Sequence, residues 1–251
     1  MSKAPLPFPV GSQQRDELLK LSRCREPGSR ARLEELLLEA GLPPDEFKDA
    51  ETHELPPEGE VLLGDAVCAY RFTGFVLEIE GAVPAEACQG LVSGAEGSGD
   101  WPGSTQIHGN GDVFADDART SSERPVTSEA FPALEQTLSR LLDEAARFYR
   151  CRFREFAYSG NTGWTLVRYE EGQHYSRHCD AARGTQNRCL SALLYLNDAF
   201  AGGETAFPEQ GLEISAKVGK LVLFPPWFTH PHQANPVESG TKYVAVGWFL
   251  A

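Results

Sequence analysis

No stretch of the 251-residue sequence approaches the ~18 consecutive apolar residues that a membrane span requires. Its opening, "MSKAPLPFPVGSQQRDELL", also lacks the apolar core of ~7–15 residues that marks a secretory signal. The cysteines, Cys24, Cys68, Cys88, Cys151, Cys179 and Cys189, include no Cys-x-x-Cys pair. A zinc finger is therefore excluded, and free thiols are expected rather than a disulfide framework. Positive charge is scarce: 23 Lys and Arg stand against 36 Asp and Glu, a net charge of −13 that repels polyanions. Together these absences lead us to expect a soluble, cytoplasmic protein that engages neither nucleic acid nor membrane. Nothing in the sequence sets its oligomeric state.

What is present reads as ordinary globular composition, 41% hydrophobic and 24% charged, in a length that suits one main core with a smaller attachment. Residues 1–60 form that attachment. "SRARLEELLLEAGLPP" offers Ser29 as an N-cap, Leu33, Leu36, Leu37 and Ala40 at helical spacing, and Gly41 and Pro43 as stops. A second helix is expected before it, over "QQRDELLKLSR", and an acidic, proline-bearing linker after it, "AETHELPPEGE". The main domain is expected over 61–251. It begins with the β-like run "CAYRFTGFVLEIEG" and a helix starting near Pro84. Residues 97–127, rich in Gly, Ser, Asp and Thr, read as a long mobile loop or hairpin. Leu134, Leu138, Leu141, Ala145 and Phe148 then mark a long helix lying on a sheet. After it, strand-like runs recur every ~8–12 residues to the end of the chain, the signature of an antiparallel sandwich or barrel.

The chemistry-bearing residues gather in this last region. In "YEEGQHYSRHCD", His178 and Asp180 are separated by one residue. On a strand, side chains at i and i+2 share a face about 6–7 Å apart, near enough to converge on one ion. A non-haem Fe(II) oxygenase needs two histidines and one carboxylate on one face of the metal. The second histidine must come from a distant strand, and "FTHPHQANPV" supplies two candidates, His230 and His232. In "KYVAVGWFL", Lys242, Val244, Val246 and Trp248 share one face, and a lysine opening an otherwise apolar inward row needs an anionic partner.

"YEEGQHYSRHCD", "RCLSALLYLND", "AGGETAFPEQG", "GKLVLFPP" and "HQANPVESGTKYVAVGWF" resemble, in order and spacing, the 2-oxoglutarate- and Fe(II)-dependent dioxygenases of the prolyl 4-hydroxylase superfamily. The resemblance covers about residues 65–251 and is strongest from 162; "DDARTSSE" resembles an Arg-Thr-Ser segment in the same enzymes. It implies a mainly β fold with flanking helices around a double-stranded β-helix (jelly-roll, cupin-like) core. It also implies that His178, Asp180 and His232 bind Fe(II). His232 is favoured over His230 by register, since the family's distal ligand stands four residues before the Pro of Pro-Val and ten before the basic residue, here Pro236 and Lys242.

By the same resemblance, Lys242 and Tyr169 would hold the far carboxylate of 2-oxoglutarate, and Thr205 and Trp248 would line the pocket. Arg188, Arg119 and Tyr175 are the expected substrate contacts. The implied activity consumes 2-oxoglutarate as co-substrate and molecular oxygen to hydroxylate an unactivated C–H bond. Related halogenases typically lack the carboxylate ligand, so Asp180 favours hydroxylation. The expected substrate is proline or another amino acid, free or in a small peptide. A protein (prolyl) hydroxylase is the near alternative, and a nucleic-acid demethylase or a non-catalytic metal-binding or sensor module the remoter ones.

Overall fold

Period-two patterning sets the architecture. In β2 (Ala66–Thr73) Cys68, Tyr70 and Phe72 are buried while Ala69 and Arg71 are exposed, so this strand covers a core with one face only. By contrast β14 (Leu221–Phe224) and most of β10 (Arg188–Tyr195) are buried at successive positions, as strands covered on both faces must be. The computed structural model describes residues 55–251 apart from 65, 98, 100, 105, 108–112, 115–116, 128–131 and 183; of residues 1–54 it describes only Arg32. The two expected N-terminal helices and the start of the linker lie outside the described residues.

In chain order the remaining elements are β1 (Glu58–Leu63) and β3 (Val76–Ile79) on either side of β2, then α1 (Ala85–Gly97) and the pair β4 (Gln106–Ile107) and β5 (Val113–Phe114). They are followed by β6 (Ser122–Pro125), α2 (Pro132–Arg152), β7 (Gly160–Asn161), β8 (Thr165–Tyr169) and β9 (Tyr175–His178). β11 (Ala201–Gly202), β12 (Thr205–Phe207) and β13 (Leu212–Ile214) lie between β10 and β14; β15 (His232–Ala234), β16 (Val237–Ser239) and β17 (Lys242–Leu250) close the chain. A nine-stranded antiparallel sheet runs β1-β2-β3-β14-β10-β17-β8-β6, with β7 beside β17. A four-stranded sheet, β13-β12-β15-β9, faces it.

From β8 onward the chain alternates between the two sheets: β8 large, β9 small, β10 large, β12 and β13 small, β14 large, β15 small, β17 large. That winding is the double-stranded β-helix expected from the sequence. It makes two apolar layers. Leu190, Ala192, Leu194, Leu221, Leu223 and Phe249 face the helices, packing with Cys88 and Leu91 of α1 and Leu138, Leu142 and Tyr149 of α2. Val167, Leu193, Val222, Phe224 and Val244 face the small sheet, where Phe207 and Ile214 meet them. Fully burying one such leucine contributes about 1.5–3 kcal/mol.

α1 opens where Pro84 accepts the amides of Ala87 and Cys88, and α2 ends with Arg150 and Arg152, cations that suit the negative end of a helix dipole. Among the described residues no helix is long and apolar enough to cross a membrane. One element differs from expectation. The end of the glycine-rich 97–127 segment is not loop: β6 pairs with β8 and forms an edge of the large sheet. Its sequence, Ser-Glu-Arg-Pro, has no apolar alternation, because an edge strand held by a neighbour's backbone needs none.

Candidate metal centre and adjoining cavity

The small sheet sets two histidines face to face. His178, last in β9, is directly opposite His232, first in β15, and their ring centroids are 4.3 Å apart. Asp180 completes the group: Oδ1 is 3.5 Å from His178 Nε2, and Oδ2 is 3.7 Å from His232 Nε2. All three donor atoms lie within 4.8 Å of one another, the one such group among the described residues.

Strand alternation does not deliver Asp180, however. β9 ends at His178, and the turn that follows bends the carboxylate back toward the imidazoles. β10 and the turn hold it there. The Asp180 backbone carbonyl accepts hydrogen bonds from Arg188 Nη1 and Thr185 Oγ1, both at 3.0 Å, and Ser191 Oγ donates to Oδ2 at 2.6 Å. Strand alternation would turn Cys179 away from the ligands; with the strand ended, it joins the cavity wall instead.

Hydrogen bonds also fix which imidazole nitrogens face inward. His178 Nδ1 donates to the Ser176 carbonyl at 2.8 Å, and His232 Nδ1 donates to the His230 carbonyl at 3.2 Å. Both Nε2 lone pairs are thereby turned to the centre. Burial, reinforced by neighbouring His178, lowers His232 from its usual 6.5 to about 4, so it stands neutral and able to donate to a metal. At Asp180 burial opposes ionisation, but the two imidazoles and the Ser191 hydroxyl outweigh it and hold the group well below the usual carboxylate range. Two imidazoles and a carboxylate are the donor set of a two-histidine, one-carboxylate Fe(II) site.

A cavity of about 280 Å³ extends from this triad into the barrel. At its wall Lys242 is 1% exposed and lies opposite Tyr169 on β8. Its Nζ donates to the Gly203 carbonyl at 2.6 Å and sits 5.2 Å from the Tyr169 ring and 5.5 Å from the Tyr195 ring. Among the described residues no carboxylate pairs with it, and burial, only partly offset by Glu204, pushes it from 10.5 to about 7. Gly203 itself has φ +68, and a Cβ there would stand 3.2 Å from the Lys242 Cδ, so the Gly-Gly turn is shaped to admit this lysine. Thr205, also on the wall, accepts the Tyr195 hydroxyl at 2.7 Å.

The other expected residues line the same cavity. Arg188 lies over Trp248, 3.6 Å from the ring centroid, while Tyr175 stacks on His178 at 3.5 Å with the Arg119 guanidinium 4.9 Å from its ring. His230 is placed elsewhere. Its ring meets Phe75 edge-on at 6.1 Å, its Nδ1 is 3.0 Å from Thr229 Oγ1, and only its carbonyl serves the triad. Sequence reasoning missed Ser191, Tyr195 and Glu123. The first two fall on the inner face of β10, which the period-two pattern marks; Glu123, ion-paired with Arg119 at 2.7 Å on β6, leaves no such trace.

Residues 164–250 match the 2OG-Fe(II) oxygenase superfamily. The prolyl 4-hydroxylase subunit alpha-1 of Gallus gallus is 35% identical over 100 residues, which is 33% of this chain and 19% of that subunit. The chain spans at most about half the length of the curated relatives it matches, 49% of one in Acanthamoeba polyphaga mimivirus. A viral collagen prolyl hydroxylase from Paramecium bursaria Chlorella virus-1, solved as its 2OG complex, superposes with a TM-score of 0.56 at 21% identity, covering 71% of this chain and 97% of the viral one. A Trichoplax adhaerens prolyl hydroxylase, solved with a peptide fragment of the hypoxia inducible factor oxygen degradation domain, gives 0.58 at 19% identity over 70% of this chain and 83% of its own. At these identities the structural likeness is one of fold.

Proposed function

We propose, from the match of residues 164–250 to the 2OG-Fe(II) oxygenase superfamily, that the protein hydroxylates an unactivated C–H bond of proline or another amino acid, free or within a small peptide. The observation that carries this reading is the presence, in one cavity, of the His178–Asp180–His232 triad and a buried lysine that has no carboxylate partner among the described residues.

His178, Asp180 and His232 would hold Fe(II). Bound there with 2-oxoglutarate and molecular oxygen, the metal supplies the oxidising power that leaves one oxygen atom in the product while 2-oxoglutarate becomes succinate and carbon dioxide. The protein's part is placement. Lys242 would take up a proton against the distal carboxylate of the co-substrate, with the Tyr169 ring beside it, and in a site already stripped of water the resulting ion pair is strong. Thr205 closes that end of the pocket. Val167, Leu193, Phe224, Val244 and Val246 line the remainder and exclude water from the reacting carbon.

The substrate half of the cavity carries the groups an amino acid needs. The Arg188 guanidinium, held over Trp248 and committed by Nη1 to one backbone carbonyl, presents its remaining donors to a carboxylate or a peptide carbonyl. Glu123 and Arg119 supply both signs of charge at the same wall. Prolyl hydroxylation of a protein is the rival reading, favoured by the collagen hydroxylase and the peptide-bound hydroxylase among the similar folds. The deciding experiment loads the protein anaerobically with Fe(II), 2-oxoglutarate and a panel of free amino acids or proline-containing peptides, admits oxygen, and reads product mass. A gain of one oxygen atom, matched by one succinate, is the expected result. Absence of succinate under every condition would leave a metal-binding module.

A further inference from the structure

Asp180 is the one triad member that no strand positions, and the bond that places its carboxylate comes from another element. Ser191 is 1% exposed on the inner face of β10, and its Oγ donates to Asp180 Oδ2 at 2.6 Å, a short charge-assisted bond. Arg188, on the same strand, holds the Asp180 backbone carbonyl and not the carboxylate. The two carboxylate oxygens are therefore unlike. Oδ2 is engaged by a hydroxyl and lies 3.7 Å from His232 Nε2; Oδ1 has no hydroxyl partner and faces His178 Nε2 at 3.5 Å.

We infer that Ser191 is a positioning residue that makes Asp180 a one-oxygen metal ligand, reserving Oδ1 for the metal and keeping Oδ2 out of its coordination sphere. This rests on the reading of the triad as a metal site. The consequence is a position left open. A carboxylate free to swing would bind through both oxygens and occupy a place that the co-substrate or dioxygen needs. A ligand held from outside is also bound more tightly, because its orientation is fixed before the metal arrives. A purely structural role fits poorly: the Ser191 hydroxyl has no other partner among the described residues, and the side chain is small enough that Ala fills its space.

The test uses the whole 251-residue chain, stripped of metal and titrated with Co(II), whose ligand-field spectrum reports both affinity and coordination number. Ser191→Ala is expected to weaken Co(II) binding roughly 10–100-fold, as loss of a ligand's outer partner does. It is also expected to alter the ligand-field bands, while the melting temperature of the metal-free protein stays within a few degrees of wild type. Ser191→Thr, which keeps the hydroxyl, is expected to restore affinity and spectrum; if the extra methyl does not fit and the protein fails to fold, the Ala result alone decides. Wild-type affinity and spectrum in Ser191→Ala would overturn the inference. So would a folded Thr variant as weak as Ala. If the wild-type protein binds no Co(II), the triad reading itself has failed, an outcome separate from both.

Discussion

Replacing Lys242 with methionine should make the protein more stable and its co-substrate binding worse. Burial lowers Lys242 from 10.5 to about 7. At pH 7.5 the folded protein therefore keeps the side chain mostly neutral, whereas the unfolded chain would protonate it. Three units of forced deprotonation, at about 1.36 kcal/mol each, cost about 4 kcal/mol. Lys242→Met preserves length, removes that cost and forfeits the bond to the Gly203 carbonyl, worth about 1 kcal/mol. The net gain is about 3 kcal/mol, or roughly 6–12 °C in melting temperature for a chain of this size. Losing a charge-assisted bond to a carboxylate costs about 1.5–3 kcal/mol, so the KM for 2-oxoglutarate should rise roughly 10–150-fold.

The pH dependence has a definite sign. Between about 7 and 10.5 the unfolded chain binds a proton that folded Lys242 refuses, so this group makes stability climb with pH across that window and is flat on either side. The variant should lack that rise. Denaturant melts at pH 7.5 and 10, with succinate formation measured against 2-oxoglutarate concentration, read both effects. A variant that is less stable, with KM unmoved, would refute the reasoning.

Other substitutions separate neighbouring roles. His232→Ala should lower metal content at least ~10-fold, whereas His230→Ala, which keeps the carbonyl that orients His232, should leave it near wild type; iron analysis of both decides, and loss of iron in the second alone would reverse the assignment. Arg188→Met should raise the KM for the substrate being hydroxylated ~10-fold or more without changing that for 2-oxoglutarate, since Arg188 and Lys242 stand at opposite ends of the paired strands β10 and β17; equal rises in both would place Arg188 in co-substrate binding. Gly219→Ala should destabilise by more than ~2 kcal/mol in urea melts: its φ is +76, and a Cβ would lie 2.0 Å from the Val83 carbonyl, a backbone atom that has little room to yield.

The jelly roll was readable because its central strands must alternate or run continuously apolar, and β8, β10, β14 and β17 do so where the sequence says. Lys242 was readable for the same reason, as a charge on an apolar face. What could not be read depends on where strands stop. The end of β9 at His178 decides that Asp180 is reached through a turn and that Cys179 meets the cavity, and no residue pattern announces that end. β6 was equally silent, because partner backbone and not side-chain pattern holds it. The Ser191–Asp180 bond joins strands through a tertiary contact, and a buried serine looks like filler in a sequence.

The placement of His178 opposite His232 also bears on how the chain is held together. The strands that carry them have four and three residues, and roughly fifty residues of chain separate the two. Such a junction is entropically expensive to close and has few backbone bonds to keep it shut. A metal shared between the two strands would act as a clasp at that junction, adding its binding free energy to the smaller of the barrel's two sheets. The ion that equips the site for chemistry would then also guard the chain against local opening, so metal starvation would shorten the protein's lifetime as well as silence it.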